Sequence, residues 1–204
     1  MSEPRLQRVF IFDSDICMGC NGCAAACKNA NNTTSELMWR KVHKTPPLNG
    51  DHKTFYISMS CNHCEDPPCL NACPTKSYTK REEDGVVIHN SKTCMGCKYC
   101  QMACPYGAIK WNSLEGIVNK CHFCFEKLDA GEQPACVRTC FSGALTQRLL
   151  NIEELDETHS KEIDGIKYLP DVNYSIRFIE KGERFKPERN EIFPPKINKS
   201  DEEK

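Results

Sequence analysis

Sixteen of the 204 residues are cysteines, and their spacing is the feature of the sequence that points most directly to chemistry. They form four groups of four, with none left over. In sequence order these are Cys17, Cys20, Cys23, Cys27; Cys61, Cys64, Cys69, Cys73; Cys94, Cys97, Cys100, Cys104; and Cys121, Cys124, Cys136, Cys140. No secretory signal is visible before the first group, and thiols of cytosolic proteins stay reduced. Metal binding is therefore favoured over a disulfide framework.

The spacing within the groups indicates which metal centre they build. The third group, C-x2-C-x2-C-x3-C followed by Pro105, is the run found in bacterial ferredoxins, and the first group differs in having Lys28 in place of the proline. In that run three thiolates bind one cubane and the fourth binds a second cluster. Structural zinc sites usually use two CxxC pairs instead. We therefore expect iron–sulfur clusters, with a zinc-binding structural module as the alternative from a different class.

The connecting residues indicate how the groups pair. Residues 74–93 join groups two and three and contain an Asp-Gly pair before an apolar run at 86–88, which is typical of the strand-and-turn connector inside a two-cluster ferredoxin. The prolines after these two groups, Pro74 and Pro105, are expected to begin short helices. Groups one and four lack this proline, so we expect them to pair around the outside.

Residues beside the cysteines are expected to shape the surroundings of the clusters. Gly19, Gly22 and Gly96 leave room for backbone amides and are able to take positive φ. His63 and His122 lie inside CxxC pairs and are expected to pack or hydrogen-bond beside sulfurs rather than bind metal. The aromatic residues expected to provide apolar shielding are Tyr99, Tyr106, Trp111, Phe123 and Phe125.

These motifs resemble those of the four-cluster iron–sulfur subunits of molybdopterin oxidoreductases, and most closely the electron-transfer subunits of the dimethyl-sulfoxide reductase type. The segments that carry the resemblance are 60–69, 97–107 and the long-gapped fourth group ending at Cys140. The resemblance runs from about Val9 to Leu145. It implies an α+β fold of two nested bacterial ferredoxin-like units with short strands and helices, followed by an extended C-terminal arm.

The resemblance also implies four 4Fe-4S clusters and a particular sharing of ligands between the groups. The implied ligands are Cys17, Cys20, Cys23 and Cys140 for cluster 1; Cys27, Cys121, Cys124 and Cys136 for cluster 2; Cys61, Cys64, Cys69 and Cys104 for cluster 3; and Cys73, Cys94, Cys97 and Cys100 for cluster 4. No catalytic residue is expected in this polypeptide.

The domain organisation follows from where the cysteines end. We expect a double ferredoxin-like domain over 1–150, with an outer half made of 9–58 together with 112–150 and an inner half made of 59–111. Residues 151–204 contain no cysteine and are rich in charge. In them we expect a short helix near 151–154, a short strand near 174–179 and an extended tail that orders by wrapping a partner. A disordered tail is the alternative.

The resemblance implies an electron relay rather than an enzyme. Single electrons would pass through the four clusters between a quinol-oxidising membrane anchor, or another donor, and a molybdopterin (Mo/W) catalytic subunit of a respiratory reductase. The same relay in a formate dehydrogenase, a hydrogenase or another oxidoreductase complex is the alternative. The formal net charge of −1 gives no support for nucleic-acid binding.

The cellular location of the protein is expected to be that of the complex to which it belongs. No apolar stretch approaches the roughly 20 residues that a membrane span needs, and no export signal is visible. We therefore expect a cytoplasmic or membrane-associated protein held in a complex. The resemblance also allows export of the folded protein by means of a partner subunit's signal.

Overall fold

The computed structural model describes residues 5–34, 36–45, 55–152 and 176–179. In these ranges the strands are β1 (Leu6–Phe12), β2 (Lys41–Thr45), β3 (Phe55–Met59), β4 (Tyr78–Lys80), β5 (Val87–His89), β6 (Lys110–Asn112), β7 (Ile117–Asn119), β8 (Leu145–Asn151) and β9 (Arg177–Phe178). The helices are α1 (Gly22–Ala30), α2 (Pro68–Asn71), α3 (Tyr99–Ala103), α4 (Phe125–Asp129) and α5 (Ala135–Arg138), with a 3-10 turn at Ser91–Thr93. These short, mixed elements agree with the α+β class predicted from the sequence.

A three-stranded sheet joins the two ends of the cysteine-bearing region. β1 lies in its centre, antiparallel to β8 and parallel to β9. The apolar run of β1, residues 9–12, is buried throughout, as expected for a strand covered on both faces. Because β1 precedes the first cysteine and β8 follows the last, their pairing closes the polypeptide around all sixteen thiols.

Three antiparallel strand pairs position the cysteine loops: β2 with β3, β4 with β5, and β6 with β7. The β4–β5 pair confirms the strand-and-turn connector predicted between groups two and three. Its turn uses Gly85 at φ 67°, and the Asp84 carboxylate accepts the backbone N–H of Val86 at 3.1 Å. Both features are typical of a tight turn in which an aspartate caps its own backbone.

Pro74 and Pro105 do not begin helices, so that prediction is wrong. After Pro105 the backbone makes a single turn in which the N–H of Gly107 donates to the carbonyl of Cys104 at 3.2 Å, and Gly107 has φ 56°. The corresponding turn after Pro74 ends at Lys76, with φ 50°. A left-handed residue at this place ends a right-handed helix before its first turn is complete.

The apolar core is built between the cysteines. The main cluster of buried residues contains Phe10, Phe12, Ile57, Val86, Phe123, Val137, Leu145, Ile176 and Phe178 together with Cys23, Cys27, Cys61, Cys121 and Cys136. A smaller cluster contains Tyr78, Val87, Ile109 and Val118 together with Cys69 and Cys100. Packing and ligand positions therefore depend on the same residues, so a change to either affects the other.

A segment beyond residue 151 also contributes to this core. Ile176 and Phe178 are buried, and the N–H of Ile179 donates to the carbonyl of Phe12 at 3.2 Å. This confirms a strand near 174–179, although it covers only Arg177 and Phe178. Asn151 is the last residue of β8, and the next residue, Ile152, has helical backbone and donates its N–H to the carbonyl of Arg5 at 3.1 Å. The remainder of the predicted helix, 153–154, and the tail beyond 179 lie outside the described residues. The domain boundaries stay predictions.

Candidate metal centres

All sixteen cysteines lie in the described ranges, and every one is a free thiol. Eight are buried and most of the others are half-buried, while Cys20 is exposed. So many buried thiols without disulfide bonds are best explained if they bind metal centres as thiolates. The cavities beside them show which thiols lie together.

One cavity lies where groups two and three meet. It is lined by Cys61, Cys64, Cys69 and Cys104. The remaining wall is mainly apolar and consists of Pro67, Pro68, Val87, Pro105, Tyr106, Ala108 and Ile109, with Asn62 and His63. Three of its thiols belong to group two and the fourth to group three, which is the ligand set expected for cluster 3.

A second cavity lies where groups one and four meet. It is lined by Cys27, Cys121, Cys124 and Cys136. Its other walls are Phe10, Asn31, Trp39, His122, Phe123 and Pro134. Here one thiol comes from group one and three come from group four, which is the set expected for cluster 2.

Electrostatic interactions between sulfurs indicate that members of the other two sets lie near one another. Burial raises the pKa of Cys17, and charges on the thiols of Cys140, Cys23 and Cys20 raise it further. Burial likewise raises the pKa of Cys100, with contributions from Cys73 and Cys94. Cys97 lies between Cys94 and Cys100 on the loop that leads into α3.

Burial makes these thiols poor anions by themselves. It raises the pKa of Cys27 and of Cys69 to about 12, and neighbouring sulfurs add to the shift. For Cys64 and Cys121 burial raises the pKa still further. Because iron binds thiolates, each of these residues must lose a proton on binding, and the metal's charge must replace the solvation that burial removes.

The spread of the thiols is suited to a body with several irons. Among the described residues, no group of three or more His, Cys, Asp or Glu side chains is placed to hold one metal ion. A single zinc ion draws its thiolates to about 2.3 Å from one centre. Four cysteines that line one mainly apolar cavity fit a cubane, whose irons each take one thiolate.

A backbone conformation repeats in all four groups. The residue two positions after the first cysteine has positive φ each time: Gly19 (71°), His63 (46°), Gly96 (74°) and Phe123 (62°). The prediction for Gly19 and Gly96 is confirmed, whereas Gly22 begins α1 and has no positive φ. Bulky side chains rarely adopt this region, so sequence reasoning missed the other two.

Both histidines make contacts with protein groups. His63 is buried, its pKa lies well below the usual value chiefly because of burial, and its Nδ1 accepts the N–H of Val87 at 3.0 Å. His122 Nε2 lies 2.8 Å from the side-chain oxygen of Asn31, and its Nδ1 lies 3.4 Å from the Glu126 carboxylate. These packing and hydrogen-bonding positions agree with the expectation from the sequence.

Several sulfurs accept hydrogen bonds that the sequence did not reveal. The N–H groups of Ser77, Phe123 and Leu145 donate to the sulfurs of Cys73, Cys121 and Cys140 at 3.3, 3.4 and 3.3 Å. Ser58 Oγ lies 3.3 Å from the sulfur of Cys23. Donors to a ligating sulfur stabilise negative charge there and help set the reduction potential of a cluster. The aromatic shielding is uneven, since Phe123 is buried and Tyr99 is exposed.

Known proteins share these features. Residues 52–149 match the family model described as a 4Fe-4S dicluster domain. The sequence is 37% identical over 166 residues to a subunit of the anaerobic dimethyl sulfoxide reductase of Escherichia coli (strain K12), covering 76% of this protein and 77% of that subunit. It is 34% identical over 162 residues to a subunit of the tetrathionate reductase of Salmonella typhimurium, covering 78% of this protein and 62% of that subunit.

A subunit of the Haemophilus influenzae anaerobic dimethyl sulfoxide reductase is 35% identical over 162 residues, covering 74% of this protein and 76% of that subunit. The similarities confirm the ferredoxin-like α+β fold class and the complement of four 4Fe-4S clusters predicted from the sequence. Within the described part of the protein, none of the helices combines the length and the apolar character that a membrane crossing requires.

Proposed function

The protein belongs to the family of iron–sulfur electron-transfer subunits that includes those of the anaerobic dimethyl sulfoxide reductases, and from this premise we propose that it serves a molybdopterin-containing catalytic subunit of a dimethyl sulfoxide reductase-like complex. A quinol-oxidising membrane anchor is the proposed electron donor. The observation that carries the proposal is the pair of cavities in which three thiols of one group meet one thiol of another.

The ligand sets are part of the proposal. Clusters 1 to 4 are held by the four sets of cysteines that the resemblance implies. Two sets are supported by the lining of the two cavities. The other two are supported by the electrostatic contacts of Cys17 with Cys140 and of Cys100 with Cys73.

The protein's own residues hold and insulate the relay. When bound, the clusters supply one-electron transfer. The cysteine loops fix the position of each thiolate, and the short strands between them keep the loops apart. Phe10, Phe123 and Trp39 exclude water from one cavity, while Tyr106 and Ile109 do so at the other. A dry, closely packed surrounding limits reorganisation when the charge on a site changes.

The ligand sets are tested by serine substitution at individual cysteines. In the anaerobically purified protein, Cys61→Ser and Cys104→Ser should alter the same electron paramagnetic resonance signal, although the two residues belong to different groups. Cys73→Ser is the matched control, since it lies in the same group as Cys61 and should alter a different signal. If Cys61→Ser and Cys73→Ser changed one signal and Cys104→Ser another, the shared sets would be wrong.

The partners are tested by affinity purification of the protein from anaerobically grown cells, followed by mass spectrometry and analysis for molybdenum and tungsten. The proposal expects a molybdopterin-binding polypeptide and a membrane protein in the same complex, on the cytoplasmic side or carried outward with the catalytic subunit. Recovery of a formate dehydrogenase or hydrogenase subunit instead would refute the proposed dimethyl sulfoxide reductase-like complex. It would leave the electron-transfer function unaffected.

A further inference from the structure

Arg40 is among the largest side chains that are fully buried in the described structure, with 1% of its surface exposed. It directly precedes β2, and its guanidinium reaches across to β3. One nitrogen donates to the carbonyl and the hydroxyl of Ser58 at 3.3 and 3.1 Å, and another donates to the Ser60 hydroxyl at 2.8 Å. The ring of Phe10 lies 4.3 Å from the guanidinium carbon. Arginine stays charged in proteins, so a full positive charge lies inside the core.

A charge in this position needs a negative counterpart. Burial acts to lower the pKa of Arg40, but negative charge on cysteine sulfurs outweighs it and raises the pKa. The sulfurs that do so are, in decreasing order, those of Cys136, Cys121, Cys23 and Cys27. Cys136 is also a hydrogen-bonding partner of the guanidinium. Three of the four sulfurs belong to the ligand set of cluster 2, and the ring of Phe10, over which the guanidinium lies, lines the cavity formed by that set.

The remaining sulfur, that of Cys23, belongs to the set of cluster 1 and is reached through Ser58. The hydroxyl of Ser58 accepts an N–H from Arg40 and lies 3.3 Å from the sulfur of Cys23. Because its oxygen is engaged as an acceptor, its hydrogen is available to donate to that sulfur. Arg40 thus acts on the ligands of cluster 2 directly and on a ligand of cluster 1 through one hydroxyl group.

We propose that Arg40 sets the reduction potential of cluster 2 by placing a permanent, buried positive charge against three of its sulfur ligands. The inference rests on the proposed ligand sets. Reduction adds one electron and therefore one negative charge to a cluster, so a nearby cation stabilises the reduced form and raises the potential. No proton moves in this step, because the guanidinium keeps its charge in both states. Ser58 extends a weaker effect of the same sign to cluster 1.

The test is an anaerobic redox titration of the cluster-loaded protein, followed by electron paramagnetic resonance with dithionite as reductant. Arg40→Met removes the charge and keeps a long side chain, and Arg40→Gln, made in parallel, also keeps donors for Ser58 and Ser60. In both variants the ratio of reduced to oxidised cluster 2 at a fixed potential should fall at least tenfold, which equals about 59 mV for a one-electron couple. Arg40→Lys keeps the charge and should restore most of this change.

Two further variants separate the electrostatic role from a structural one. Ser58→Ala should lower the potential of cluster 1 and leave cluster 2 within threefold of its parent ratio. Arg81→Met removes an arginine whose partners among the described residues are the carboxylates of Asp129, Asp84 and Glu83 and the ring of Phe125, with no sulfur, so all four potentials should stay unchanged. Unchanged potentials in Arg40→Met and Arg40→Gln, at full iron content, would overturn the inference.

Iron content separates this result from a failure of the proposed function. The parent protein should contain about sixteen iron atoms, four for each cluster. A parent with fewer clusters would contradict the ligand sets themselves. A fully loaded parent whose potentials do not respond to Arg40 would contradict the role of the arginine alone.

Discussion

Replacing Phe178 by alanine should loosen the whole cluster-bearing region, although this residue lies 38 positions beyond the last cysteine. Phe178 has 1% of its surface exposed and belongs to the main core together with Phe12 and Ile176. It pairs with Phe12 in the parallel β1–β9 register. Removing this ring leaves a cavity beside β1, the central strand of the sheet.

The cost follows from the size of the ring. Burying a phenylalanine removes about 150–250 Å² from water, which at about 25 cal/mol per Å² stabilises the fold by about 4–6 kcal/mol. Partial relaxation of the surroundings brings measured Phe→Ala losses to about 3–5 kcal/mol. Because release of the clusters makes unfolding irreversible, the loss is read as half-bleaching at a clearly lower urea concentration than in the parent, and not as an equilibrium free energy.

The assay is the loss of absorbance near 400 nm in increasing urea, under argon. Cluster release makes unfolding irreversible, so parent and variants are compared after equal incubation times. Leu149→Ala is the matched control, because Leu149 lies on β8 in the same sheet with 37% of its surface exposed. Its midpoint should move by less than about 0.5 M. If Phe178→Ala shifted the urea midpoint no more than Leu149→Ala does, the packing of β9 on the core would be refuted. The stability of the cluster-bearing region would then not depend on residues beyond 150.

Three other outcomes are expected. Removing iron with a chelator should unfold the described region, seen as loss of far-ultraviolet circular dichroism and of protease resistance, because the thiols that line the core lose their partner; a protease-resistant apoprotein would contradict this. Gly96→Ala should lower iron content, since Gly96 has φ 74° and an added Cβ would meet the carbonyl of Gly116, whereas Gly107→Ala meets no atom within 4 Å and should lose less. The hydrogen bond from Arg81 lowers the pKa of Asp129, so this pair stabilises the fold above pH about 4 and the effect is lost as the pH falls through that lowered pKa. Asp129→Asn should therefore unfold at lower urea than the parent at pH 7, and because Asp129 is exposed the difference should shrink at high ionic strength; an equal difference at low and high salt would contradict the pairing.

The sequence predicted the parts of the site that depend on spacing between residues. A cysteine run with fixed gaps restricts which thiolates can reach one centre, so the number and type of clusters could be inferred, and the β4–β5 connector was marked by its own turn residues. The helices expected after Pro74 and Pro105 were wrong, because a proline is equally compatible with the first position of a turn. The left-handed residue that ends each turn is a lysine after Pro74, and nothing in that residue type indicates positive φ.

The buried charge of Arg40 could not be predicted from the sequence, for a different reason. Arg40 lies in no cysteine motif, and its role depends on the β2–β3 pairing, which brings it to Ser58 and to the sulfurs of groups one and four. A lone arginine before a polar strand is typical of a solvated surface. Only the folded protein shows that its charge is buried, and that its partners are thiols rather than carboxylates.

The fourfold loop conformation brings the second and fourth cysteine groups into contact. Two of its four left-handed positions are glycines, which adopt positive φ without strain, whereas His63 and Phe123 do so at a cost of about 1–3 kcal/mol each. His63 follows the second cysteine group's first cysteine and Phe123 the fourth group's, and their rings meet edge to face at 5.2 Å. Phe123 also stacks on Phe10 of β1 at 4.0 Å, and His63 accepts the N–H of Val87. In the second and fourth cysteine groups the turn that places the loop therefore also brings a ring into this contact, and the packing of the two rings offsets the strain of their backbone.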